Sequence, residues 1–165
     1  MKNKNINMLI VALLLAGLMA VMLMFFLEDA HDRFEEDVKL ESDGITESVL
    51  SVRNLQLVPT QTSEYKVNLM CRASGDYFIY LDYNESVDGG MKSFVVVSVT
   101  CNGELIYNGS LKDLLDTDIV VEFEETLFED EYTVIIFQYH MPYETGNEAQ
   151  GTYSDFDINL TIKKS

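Results

Sequence analysis

Two histidines and two cysteines are all that this 165-residue chain has of the side chains that most often hold metals or act as nucleophiles. His31 and His140 are far apart, and neither belongs to an HExxH pair. No grouping of His, Cys and carboxylate has zinc-ligand spacing. GxSxG, the Walker phosphate loop and GxGxxG are missing as well. These absences leave no recognisable set of nucleophile, base or metal, so the sequence predicts neither an enzyme nor a cofactor. With only Cys71 and Cys101, there is at most one disulfide. Both fall on the apolar side of strand-like segments, which suits a bond or two buried thiols, and the residues leave both open. Basic residues are scarce too, 11 Lys and Arg against 28 Asp and Glu. Such a surface repels nucleic acid and anionic lipid heads, so no nucleic-acid partner is expected.

Charge of either sign is absent from Met8 to Leu27, which reads MLIVALLLAGLMAVMLMFFL. As a helix this run would rise roughly 30 Å, the thickness of a bilayer's hydrocarbon core. Lys2 and Lys4 precede it and Glu28, Asp29 and Asp32 follow, which predicts an N-terminus inside and the remainder outside. Residues 1–7 then form a cytoplasmic N-terminus and 8–27 a transmembrane signal-anchor or signal peptide. The small-x-small site nearest its end, Glu28-Asp29-Ala30, begins with a charge, which disfavours cleavage. Localisation is therefore expected at the cell membrane, single-pass, or in secreted form at the cell surface. Leaving out Lys2 and Lys4, nine basic residues face 28 acidic ones, a net charge of −19 beyond the apolar run.

Residues 28–46 are polar and charged and read as an acidic stalk or a frayed helix. From Glu47 onward, short β-type runs alternate with turn signals. Val49, Ser51, Arg53, Leu55 and Leu57 form one alternating set, with Leu50 and Val52 opposite. Further runs are Tyr65–Cys71, Tyr77–Tyr83, Val95–Cys101, Ile119–Phe123 and the most apolar, Tyr132–Tyr139, which is expected to be central. Asn102-Gly103 predicts a type I′ hairpin turn, with Glu104–Tyr107 running back. Phe156, Ile158, Leu160 and Ile162 alternate with polar residues in a terminal strand. Ser110 heads the single helical signal, with Asp113 at the position that completes a capping box. Residues 47–165 therefore predict an all-β domain, a β-sandwich or barrel with one short connector helix. Asp116-Thr117-Asp118 and the acidic run from Glu122 to Glu131 lack an EF-hand register and read as solvated surface.

Two longer patterns resemble the TasA/camelysin family. One is Asn147-x-x-Gln150-Gly151 followed by the alternating strand from Asp155 to Leu160. The other is Val99-x-x-Asn102-Gly103-x-x-Ile106-Tyr107-x-Gly109-x-Leu111-x-Asp113-Leu114. The likeness runs from Leu50 to Ile162 in order. It implies a jelly-roll β-sandwich secreted by a Gram-positive bacterium and assembled into biofilm-matrix fibres, with itself or related matrix subunits as partners. The family's Pro-Gly-Asp-type turns are reduced here to Pro59-Thr-Gln-Thr-Ser and Phe128-Glu-Asp-Glu, and its small-residue cleavage site is not evident after Leu27. The metallopeptidase activity ascribed to some members finds no supporting residues. A fibre subunit that self-associates by strand addition is expected, with Glu47 to Leu57 as donor and Val49, Leu55 and Leu57 as its apolar face. The alternative is a membrane-tethered accessory module that docks a partner and never polymerises.

Overall fold

The computed structural model describes residues 33–40, 45–117 and 119–165. The apolar run from Met8 to Leu27 and His31 lie outside the described residues. Among the described residues, no helix is long and apolar enough to cross a membrane.

Alternation of side chains builds the strands. In β9 (Tyr153–Lys164), Phe156, Ile158, Leu160 and Ile162 are almost fully buried while Asp157, Asn159 and Thr161 face outward. The same two-residue period buries Ile135, Phe137 and Tyr139 in β8 (Tyr132–His140), and Val97, Val99 and Cys101 in β5 (Val96–Cys101). The remaining strands are β1 (Arg33–Lys39), β2 (Ile45–Leu55), β3 (Thr62–Met70), β4 (Gly75–Gly89), β6 (Glu104–Ser110) and β7 (Val120–Leu127). Helix α1 (Leu111–Asp116) links β6 to β7, and the Ser110 hydroxyl accepts from Asp113 N at 3.3 Å as the capping signal predicts.

Among the described residues, nine strands form two sheets, in the orders β1-β3-β8-β5-β6 and β2-β9-β4-β7. The antiparallel pairs β5–β6, β4–β7, β3–β8 and β2–β9 nest one outside the other around the β5–β6 hairpin and fall alternately in the two sheets. The hairpin turns at Asn102 (φ 49°) and Gly103 (φ 86°), two successive positive φ values as a type I′ turn requires. One cluster of inward side chains from both sheets fills the core. There the Tyr139 and Phe156 rings meet edge-on with centroids 5.5 Å apart, and β8 lies at the centre of the five-stranded sheet.

Three features depart from the sequence reading. Part of the expected stalk is a strand: β1 pairs in parallel with β3, from Arg33 opposite Glu64 to Lys39 opposite Met70. The alternation expected through Val49, Leu55 and Leu57 is broken, because β2 shifts register against β9 between Val52 and Leu55 and Asn54 takes φ 53°. A bulge adds one residue and flips the facing of everything beyond it. Leu50, Val52, Leu55 and Leu57 all point inward as a result, and Val49 is 58% exposed. Finally, β4 runs well past Tyr83 to Gly89, staying paired with β9 across a bulge between Glu85 and Val87.

Candidate functional site

The four nested pairs make both sheets without β1. That strand is an addition at one margin, where Val38 is 6% exposed and Leu40 just beyond it is 2% exposed. Backbone pairing and a polar clamp also hold it to β3. Lys66 Nζ donates to Glu35 Oε1 at 2.8 Å. The buried Asn68 amide donates to both Glu35 Oε1 (2.7 Å) and Asp37 Oδ1 (2.8 Å). The Lys66 and Asn68 hydrogen bonds, with the charge of Lys66, hold the Glu35 carboxyl below its usual range. Leu40 N closes the ladder by donating to Met70 O at 2.9 Å. Beneath β1, where the two sheets part, is a cavity of about 170 Å³ with Leu50, Tyr65 and Val67 on its walls and Glu35, Glu36 and Lys66 at its rim. That volume is similar to an apolar cavity able to hold one benzene-sized group.

The expected donor segment is built differently. β2 pairs with β9 from Ile45 opposite Lys163 to Leu55 opposite Ser154 and sends Leu50, Val52 and Leu55 into its own core. The bulge that inverts its facing has no marker in the sequence beyond Asn54, a residue type tolerant of positive φ.

The residues of the two family-like patterns divide between two places. Asn102 N donates to Val134 O (2.8 Å), its side-chain oxygen accepts from Val134 N (3.0 Å), and its Nδ2 donates to Glu125 (3.0 Å). The turn is thereby bound to β7 and β8. Tyr107 and Gly109 lie on β6, the far margin of the five-stranded sheet from β1. Asn147, Gln150 and Gly151 lie in the connection between β8 and β9, where Gln150 Nε2 donates to Asn147 Oδ1 at 3.0 Å and Gly151 has φ 76°. Gln150 and Gly151 line a second cavity, of about 310 Å³, shared with the β2–β3 connection. Residues 57 and 150 are so distant in sequence that no local signal joins them.

Cys71 and Cys101 are free, buried thiols. They follow from strands on opposite sides of β8, so their backbones are about 9.5 Å apart laterally, beyond the roughly 7 Å that a disulfide spans. Burial, with Glu125 and Glu104 nearby, pushes the Cys101 thiol up to about 12. His140 is the last residue of β8, and its Nδ1 lies 3.0 Å from the Thr62 hydroxyl. Among the described residues, no group of three or more His, Cys, Asp or Glu is arranged to hold a metal ion.

A cluster not foreseen from the sequence surrounds Lys92, which is 8% exposed in a 3₁₀ turn, Met91–Phe94. Its Nζ lies 2.6 Å from Asp116, 2.8 Å from Glu85 and 3.1 Å from Asp88. The carboxylates, Asp116 foremost, push the Lys92 ammonium well above its ordinary value. Asp88 is held low, first by the Gly90 amide and then by Lys92. Lys92 thus ties α1 to the far half of β4.

No family model and no curated protein matches the chain. Among solved structures, PliG, a periplasmic lysozyme inhibitor of g-type lysozyme from Aeromonas hydrophila, is similar at 11% identity and a TM-score of 0.40, over 81% of this chain and 99% of that one. The pre-peptidase C-terminal domain of a collagenase from Bacillus anthracis gives 7% identity and 0.38, over 78% and 95%. The C-terminal domain of EclA, a sugar-binding protein, gives 17% and 0.40, over 67% and 84%. At these scores the likenesses point to no family and no ligand. The described chain is a two-sheet, mostly β protein with one short helix.

Proposed function

We propose that this chain is an extracytoplasmic structural subunit, membrane-anchored or secreted, that self-associates by strand addition in the manner of a TasA-like surface or matrix fibre. The nested order of its eight core strands is read as a jelly roll, and β1 is the added ninth strand. One observation carries the proposal. The first strand of the described residues sits at a sheet margin, parallel to its neighbour, over a cavity large enough for one apolar side chain. A strand held to a sheet edge by backbone pairing can make the same pairs with the equivalent edge of a second copy. Repeated head to tail, that contact does not close and builds a filament. The donor is therefore β1 and not the segment from Glu47 to Leu57, whose Leu50, Val52, Leu55 and Leu57 are committed to its own core. The apolar run from Met8 to Leu27 serves as export signal or anchor, and its cleavage decides between free fibres and a tethered module. Catalysis has no part in this reading.

Glu35 and Lys66, directly opposite each other across β1 and β3, give the test. Full-length Glu35→Cys and Lys66→Cys chains carrying different tags are mixed, oxidised and separated without reductant. A disulfide joining the two tags is expected, together with fibres in electron micrographs of the unmodified chain. If cross-linking occurs only inside a chain carrying both substitutions, and the mixed chains stay separate, β1 belongs to its own subunit and strand addition fails. The accessory-module reading then replaces it.

A further inference from the structure

The cavity between the β2–β3 and β8–β9 connections has an unusual wall for so acidic a protein. Gln56, Gln61 and Gln150 stand around it over Leu57, Pro59 and Ala149, and no ionisable side chain lines it. Leu57 and Ala149 are buried and form an apolar floor. Val58-Pro59-Thr60-Gln61 makes a tight turn in which Gln61 N donates to Val58 O at 2.9 Å and Thr60 takes φ 75°. Proline at the second position and a positive φ at the third define a type II turn, whose third position normally requires glycine. A β-branched residue there stores strain, and such strain gathers at functional sites. On the other wall, Gly151 turns the chain at φ 76°.

We propose that this cleft is a binding site for an uncharged saccharide of one or two hexose units. Its volume of about 310 Å³ falls at the lower end of the range for ligand pockets. An anionic ligand would lose hydration without gaining a cation on these walls, and a cation has the acidic surface elsewhere. A purely apolar ligand would strip water from three amides and return no hydrogen bond. A sugar ring offers what remains: C–H faces for Leu57 and Pro59, and neighbouring hydroxyls that both give to and accept from a carboxamide. Each glutamine engages one end of its amide in an internal hydrogen bond and turns the other to the cleft's ligand. Gln56 and Gln150 donate through Nε2 to Asn54 and Asn147, and Gln61 accepts through Oε1 from Val58 N. A peptide fits less well, because the cleft offers no free ladder. Val58 N, Gln150 N and Thr152 N are bonded within their own turns, to Gln61 Oε1, Asn147 O and Ala149 O.

Saturation-transfer NMR on the full-length chain, held in a polyoxyethylene detergent that carries no sugar, tests the site. The probes are cellobiose, maltose and chitobiose, with N-acetyl-tetra-alanine amide as the neutral peptide. Transfer to at least one disaccharide is expected. Gln56→Ala and Gln150→Ala, both surface positions, should each weaken binding about tenfold, the loss of one good hydrogen bond. Asn159→Ala, on the outer face of β9, should leave binding unchanged. Thermal melts confirm that each variant is folded. Silence from all three disaccharides, transfer only to the peptide, or binding that survives both glutamine variants overturns the proposal. None of these outcomes bears on strand addition, which the cross-linking experiment decides separately.

Discussion

Tyr107 folds back over Gly109, two residues further along the same face of β6. A Cβ at position 109 would fall within contact of the phenolic oxygen and 2.7 Å from the ring carbon Cζ. The tyrosine and glycine of this family-like pattern are thus a single packing unit. Burial accordingly raises the Tyr107 hydroxyl above its ordinary value. Gly109→Ala should push the ring off its seat and destabilise the fold by about 1–2 kcal/mol, the scale of local overpacking. Tyr107→Ala should remove that penalty. A double-mutant cycle by urea unfolding measures it, and additive effects would separate the two residues.

Lys92→Met should cost about 2 kcal/mol at neutral pH. The figure is below that for breaking a fully buried ion pair because the three carboxylates keep 24%, 48% and 38% side-chain exposure for Glu85, Asp88 and Asp116. Without the ammonium, three acids face one another with no cation between them, and Asp88 loses the lysine that helps hold it low. Protonation then favours the folded variant, so its deficit should shrink between pH 7 and pH 5. A deficit independent of pH would show that methylene packing, not charge, is what Lys92 supplies.

In the unaltered protein the acid response has the opposite sign. Asp88 is held low chiefly by the Gly90 amide, Asp157 by Ser51 and Arg53, and Glu35 by Lys66 and Asn68. A depressed folded pKa gives stability that is present above the unfolded value and lost as pH falls through the folded one. Denaturant midpoints should therefore hold steady down to about pH 4 and decline below it. For Lys92, raised on folding, the contribution is present below its ordinary value and disappears in strong alkali.

Both thiols should be silent in the native state. Cys71 and Cys101 are each 1% exposed, and the Cys101 thiolate is disfavoured at any pH near neutrality. Thiol titration without reductant should find no fast-reacting group in native protein and two after denaturation. Recovery of none after denaturation would mean a bond that the strand order does not permit.

Ser154 offers a stabilising change. Its hydroxyl is fully buried in β9 and has no hydrogen-bond partner among the described residues. Ser154→Ala removes a desolvated polar atom at little cost in volume and should raise stability by up to about 1 kcal/mol. A loss of 1 kcal/mol or more in thermal or urea melts would show that the hydroxyl is satisfied in solution.

What the sequence made legible was whatever periodicity and turn chemistry encode locally. β9 announces itself through Phe156, Ile158, Leu160 and Ile162, β8 through its unbroken apolarity, the hairpin through Asn102-Gly103, and α1 through Ser110. Three things stayed hidden for physical reasons. β1 carries charge at Glu35, Glu36, Asp37 and Lys39, as exposed edge strands do to deter stray pairing, so its composition imitates a linker. The bulge at Asn54 turns on a single backbone angle, and it reassigned Leu55 and Leu57 from a presumed docking face to the core. The glutamine-lined cleft joins residues almost a hundred positions apart, and the Lys92 cluster is completed only by Asp116, 24 positions on, which no short window along the chain brings together.

The nested pairing has a kinetic consequence. Val96 meets Ser110 across a short hairpin, whereas Ile45 meets Lys163 only after almost the whole domain has been made. Loop closure of that length is slow, and contacts so remote in sequence delay folding until the late segments arrive. As the chain emerges from its N-terminus, β2 waits for β9 with Leu50, Val52 and Leu55 still in water. During that interval the nascent domain presents its stickiest edge, and a chaperone or the abundance of surrounding acidic residues must keep neighbouring chains apart.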